Sequence, residues 1–155
     1  MKYTPFTLAR FAPALLLCIG SLAMPAHAQF AKAEDAIKYR KGALTVMGAH
    51  FSRVAAMAGG KAVYDAKAAA ENVAIAESMS KLPWAAFPEG SDKGETKAKP
   101  EIWTDKARFA ESAEKLQAEL AKLSVAARVG TLDALKPAVS SVAGACKNCH
   151  DNFRQ

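Results

Sequence analysis

Apolar residues return at three- and four-residue spacing along four long segments of this chain, and no stretch shows the β-branched alternation of a half-buried strand. A chain patterned this way buries its apolar surface by packing helices on one another. In the first segment Ile37, Arg40, Leu44, Met47, Phe51, Val54 and Ala58 form one stripe, broken by a single charge, and Gly59-Gly60 stops it. Asp65 can cap the second, whose inward face runs Ala69, Val73, Ala76 and Met79 before Pro83 ends it. From Leu82 to Pro100 the residues Pro83, Pro88, Gly90, Gly94 and Pro100 exclude a regular helix, although Trp84 and Phe87 should fold back onto the core. The third segment carries Phe109, Ala113, Leu116, Leu120, Leu123 and Ala127, with Glu111 and Lys115 expected as an outward ion pair, and Gly130 closes it. After Thr131 the fourth places Leu132, Leu135, Val139, Val142, Cys146, Cys149 and Phe153 on one seam, and Pro137 marks a late start or a kink. The expected fold is all-α, an antiparallel four-helix bundle with shallow crossing angles.

The chain opens with Lys2 and Arg10, runs through an apolar stretch from Phe11 to Met24, and reaches Ala26-His27-Ala28 just before Gln29. That order is a secretory signal peptide over residues 1–28, cleaved on export to the periplasm. Pro13 breaks the apolar run, which falls short of the roughly 20 residues needed to span a bilayer, so no membrane association is expected after cleavage. Residues 29–155 are enough for a single domain with its own core. Losing Lys2 and Arg10 from 21 basic residues leaves 19 against 15 acidic ones, a net charge of +4. These charges are interleaved, which argues against a nucleic-acid partner. Cys18 and His27 leave with the signal, so the remaining cysteines are Cys146 and Cys149 and the remaining histidines His50 and His150.

Both cysteines fall in Cys146-Lys147-Asn148-Cys149-His150, the C-x-x-C-H pattern that attaches c-type haem. On a helix, thiols at i and i+3 lie on one side, where they can add to the two vinyl groups of one porphyrin edge. The imidazole at i+4 can then turn under the ring toward iron. Other uses of the motif fit less well. A thioredoxin-like redox pair normally follows a strand in a βαβ unit, a disulfide leaves the histidine unexplained, and zinc held by both thiolates with His150 and His50 lacks the usual separated ligand pairs. Ala143, Gly144 and Ala145 suit a flat macrocycle, though alanine also simply favours helix.

With its signal peptide, four helical segments and C-x-x-C-H near the C-terminus, the chain resembles cytochrome c′, the class II c-type cytochromes. The resemblance extends over the mature chain, including Gln29-Phe30-Ala31-Lys32, Tyr39-Arg40 and Leu82-Pro83-Trp84-Ala85-Ala86-Phe87. It implies one covalent haem c per chain, five-coordinate iron with His150 as its protein ligand, and Leu44 over the opposite face. Leu44 sits mid-stripe and offers iron no lone pair; read from the residues alone it is equally an ordinary core side chain. Arg40 would meet a haem propionate, the alternative being a side chain that snorkels to water. Arg154 matches the arginine on the proximal face, where it can influence small ligands approaching from the histidine side.

The resemblance implies an exported protein that binds nitric oxide and carbon monoxide and exchanges single electrons, with nitric oxide able to displace His150. A homodimer through the first two helices and handling by the cytochrome c maturation machinery also fit the family; no redox partner can be named. The alternative is a six-coordinate, low-spin electron carrier with Met47 or His50 as sixth ligand. No paired carboxylates or nucleophile-base pair suggest an enzyme.

Overall fold

The computed structural model describes residues 29–155; the predicted signal peptide lies outside the described residues. Four long helices are present, α1 (Ala33–Ala58), α2 (Ala66–Met79), α4 (Lys106–Val129) and α5 (Leu132–Phe153), together with the single-turn α3 (Glu101–Thr104) and a 3-10 turn at Trp84–Ala86. Among the described residues the only β pairing is an isolated antiparallel bridge between Ala98 and Arg154.

Helix ends follow the local chemistry. α1 stops at Ala58, after which Gly60 adopts φ +71°, a conformation that costs a residue without Cβ little. The Asp65 carboxylate accepts from the Ala68 amide at 2.9 Å and starts α2. Gly130, at φ +76°, ends α4, and one residue later the Thr131 hydroxyl accepts from Ala134 N to open α5. The helix therefore does not start late at Pro137: it begins at Leu132 and carries the proline in its second turn.

Close packing runs round a ring, α1 on α2, α2 on α4, α4 on α5 and α5 back on α1, the last being the loosest of the four. One core threads the bundle through Val54, Val73, Leu116, Leu120, Leu123, Leu135 and Val142, all at most 4% exposed. Trp84 returns onto it. Lys115 does not pair with Glu111. It reaches the other way, to Glu119 at 2.9 Å, joined there by Lys122 at 3.0 Å. The Glu119 side chain is only 7% exposed, and a carboxylate in that setting needs cations near it more than the exposed Glu111 does.

Candidate haem site

α5 is continuous through Cys146, Cys149 and His150, so the two thiols lie one turn apart on one side, ~4.5 Å along the axis. Both are half-buried and unbridged, which removes the disulfide reading. Burial pushes both thiol pKa values up. His150 is exposed, and its imidazole is held toward the neutral form by partial burial and by the positive charge of Arg154, with Asp151 opposing. Neutral imidazole is the form with a nitrogen lone pair to give a metal.

The surroundings fit a flat, apolar group. A cavity of about 30 Å³ lies beside Cys146, walled by Met47, Gly48 and Phe51 from α1, Leu116 and Leu120 from α4, and Val142 from α5. This is the loosely packed α1–α5 seam. A Cβ added at Gly48, which lines this cavity, would meet nothing within 4 Å. Leu44, half-buried, lies one turn before Met47 on α1. A thiol pair for two thioethers, one histidine for iron and an apolar seam alongside are what covalent haem requires.

His50 is not brought to this place. Its Nδ1 lies 2.8 Å from Asn72 Oδ1 on α2 and 3.3 Å from Arg53, so it belongs to the α1–α2 seam. The zinc arrangement that combined it with the cysteines is therefore not formed, and among the described residues no three His, Cys, Asp or Glu side chains gather as a metal site. Met47, 8% exposed, does line the cavity beside Cys146.

Arg40 is 2% exposed, and neutral oxygens of the chain itself take four of its guanidinium donors. NH1 donates to Ala86 O at 2.9 Å and Ser91 Oγ at 2.7 Å, and NH2 to Ser91 O at 2.7 Å and Thr96 Oγ1 at 2.9 Å. The Phe87 ring lies under the guanidinium, 4.4 Å from centroid to Cζ. Desolvation lowers the arginine pKa, yet guanidinium stays charged, so neutral oxygens and an aromatic face compensate it. Among the described residues Nε–H is the guanidinium donor left for a group from outside the chain. Sequence reasoning placed Arg40 on the buried stripe but missed Ser91 and Thr96, which carry no pattern of their own in a turn-rich connection.

The far end of α5 is held by that same connection. Lys99 N donates to Phe153 O at 3.0 Å and Gln155 N to Lys97 O at 2.9 Å, flanking the Ala98–Arg154 bridge. Arg108 reaches Asn152 Oδ1 at 2.6 Å, and Phe153 stacks edge-on against Phe109, which packs in turn against Phe87 and Trp84. Arg154, exposed, follows the last helical turn, and its amide donates to His150 O at 3.0 Å.

Comparison with known proteins adds the family. A family model described as Cytochrome C′ matches residues 35–154. The cytochrome c′ of Rubrivivax gelatinosus is 51% identical over 128 residues, covering 82% of this chain and 99% of the relative, and its crystal structure superposes with a TM-score of 0.79. The cytochrome c′ of Alcaligenes xylosoxydans xylosoxydans is 46% identical over 127 residues, covering 82% of this chain and 98% of that protein. The nitric oxide complex of a leucine-to-alanine variant of cytochrome c prime from Alcaligenes xylosoxidans matches with a TM-score of 0.76 at 45% identity, covering 82% of this chain and 98% of that one.

Proposed function

This chain belongs to the cytochrome c′ family and carries covalently bound haem c; from that premise we propose that it is an exported protein that binds nitric oxide and carbon monoxide at five-coordinate iron and can pass single electrons. The observation that carries the reading is the coincidence, on α5, of a free thiol pair and the adjacent His150 with an apolar seam to α1. The relative solved with nitric oxide supports the choice of ligand.

The haem supplies an iron atom able to bind diatomic gas and to change its charge by one electron. The protein residues then divide the work. Cys146 and Cys149 would anchor the macrocycle to α5, His150 would give its lone pair to the iron, and Leu44 on α1 would offer it no donor. Leu44 carries no hydrogen-bond donor, so a polar diatomic ligand would gain nothing from it, and its bulk would favour ligands that bond iron strongly, such as nitric oxide. Arg40 pins the connection over this end of the bundle and keeps one donor for a propionate. Arg154 stands on the histidine side, where it can act on a ligand that displaces His150.

The side chains walling the cavity, among them Met47, Phe51, Leu116 and Leu120, give no acid or base for turnover, which favours a binding and carrier protein over an enzyme. Export, with residues 1–28 removed, places the chain in the periplasm, where the maturation machinery forms the thioethers. No helix among the described residues is long and apolar enough to cross a membrane. The exposed apolar side chains Tyr39 and Val46 on α1 and Ile75 on α2 would serve a homodimer through the first two helices.

An optical spectrum of the purified protein tests the reading. High-spin bands that shift when carbon monoxide is added to the reduced protein are expected. A low-spin spectrum indifferent to the gas would transfer the assignment to Met47 as a sixth ligand and leave electron transfer alone, since the hydrogen bond from His50 to Asn72 disfavours the histidine.

A further inference from the structure

The geometry points to Thr96 as a positioning residue that carries the anchoring of Arg40 on α1 across to the backbone of Arg154 at the end of α5. Thr96 Oγ1 accepts from Arg40 NH2 at 2.9 Å and from its own chain at Ala98 N, 3.1 Å away. Ala98 is the residue that bridges Arg154. One hydroxyl oxygen thus joins a buried guanidinium to the single β contact of the described residues. Upstream, the Thr96 amide donates to Gly94 O at 2.8 Å, and Gly94 takes φ +96°, so a tight turn delivers Thr96 to the guanidinium.

The arrangement matters because the contact it supports is weak by itself. Two backbone bonds, Lys99 N to Phe153 O and Gln155 N to Lys97 O, hold the last residues of the chain. A pair of short strands is marginal in water, and chain ends fray unless tied down. Tied to Arg40, which is fixed by three further bonds to Ala86 and Ser91, the 96–99 segment becomes a rigid edge for the tail to pair with. Lys99 adds a bond from Nζ to Asp151 O in the last turn of α5. The inference rests on the proposed gas reading for its consequence at the haem: the stretch being held is the one that follows His150 and carries Arg154. Leu44 lies one turn beyond Arg40 on α1, so the two sides assigned to the iron are joined through one threonine.

The test compares Thr96→Val, which keeps the shape and removes the hydroxyl, with Thr96→Ser, which keeps the oxygen, both in the haem-loaded protein. Amide hydrogen exchange is the first readout. In Thr96→Val the Lys99 and Gln155 amides should exchange about tenfold faster or more, as expected for loss of one hydrogen bond to a charged group, while the Val142 amide keeps its rate and Thr96→Ser matches wild type. The second readout is the share of reduced protein that keeps His150 on iron under saturating nitric oxide, read from the Soret band; it should rise severalfold in Thr96→Val and not in Thr96→Ser. Wild-type exchange in Thr96→Val, or equal acceleration in both variants, overturns the role of Thr96. Faster exchange with an unchanged Soret band overturns its reach to the haem side. A wild-type protein that binds nitric oxide yet never releases His150 likewise overturns the reach to the haem side, whereas a Soret band that does not respond to nitric oxide at all defeats the gas reading itself; in either case the exchange result still decides whether Thr96 holds the tail.

Discussion

The α4–α5 and α1–α5 seams share a helix, yet only the first is closed. Along α4–α5 the stripes meet as Leu116, Leu120 and Leu123 against Leu135, Val139 and Val142, none more than 7% exposed. Along α1–α5 the helices barely approach, Gly48 projects nothing into the cavity, and Leu44, Phe51 and Cys146 stay only half-buried. Helical periodicity is equally regular in both, so it does not distinguish a packed interface from a cofactor site. Thiols placed on an otherwise regular stripe, with Gly48 beside the facing one, do.

The comparison breaks first at the thiols. Cys146→Ala with Cys149→Ala should abolish covalent haem entirely, read as loss of pigment from the polypeptide after acid-acetone extraction and of the haem increment in its mass. Covalent pigment persisting in that double variant would place the attachment elsewhere and remove the meaning given to the open seam.

The next effects separate the seams by what each loses. Leu123, fully buried, should cost ~2–5 kcal/mol of stability when changed to Ala, measured by denaturant unfolding, with carbon monoxide affinity unmoved. Leu44→Ala should reverse that pattern. Its side chain is only half-buried, so the stability loss should stay near ~1 kcal/mol, while relief of crowding over the iron should tighten carbon monoxide binding about tenfold or more. Equal stability losses with unchanged gas affinity in both would make Leu44 an ordinary core residue.

Most of the closed part was legible in the sequence, and the reason is local. Stripes, the Asp65 cap and the stops at Gly59-Gly60 and Gly130 depend on neighbours within one or two turns, and Cys146, Cys149 and His150 announce themselves by spacing. What escaped depends on partners far along the chain. Arg40 looked like a buried charge in want of an anion, but Ala86, Ser91 and Thr96, 46 to 56 residues away, supply neutral acceptors. Nothing in a connection of prolines and glycines singles out Thr96. His50 stood in the sequence as a possible ligand until its hydrogen bond to Asn72 placed it in the α1–α2 seam.

The Glu111, Lys115 and Glu119 group shows the same limit at short range and yields the smallest expected effect. Both pairings are four residues apart, and Glu preceding Lys is the intrinsically better order, which favours Glu111. The structure takes Glu119 because that carboxylate is the sheltered one, and Lys122 joins Lys115 on it. Hydrogen bonds from Lys115 and then Lys122 hold its pKa below the usual 4.5, against the effect of burial. A carboxylate depressed in the folded state contributes stability above its unfolded value and loses it as pH falls through the folded one. Glu119→Gln should therefore lower Tm slightly at pH 7, and the gap from wild type should close on acidification below about pH 4. Both lysine ends are exposed, so added salt should shrink the gap as well. The same change at Glu111 should leave Tm unmoved at any pH; an equal effect at the two positions would mean that shelter on α4 does not choose the partner.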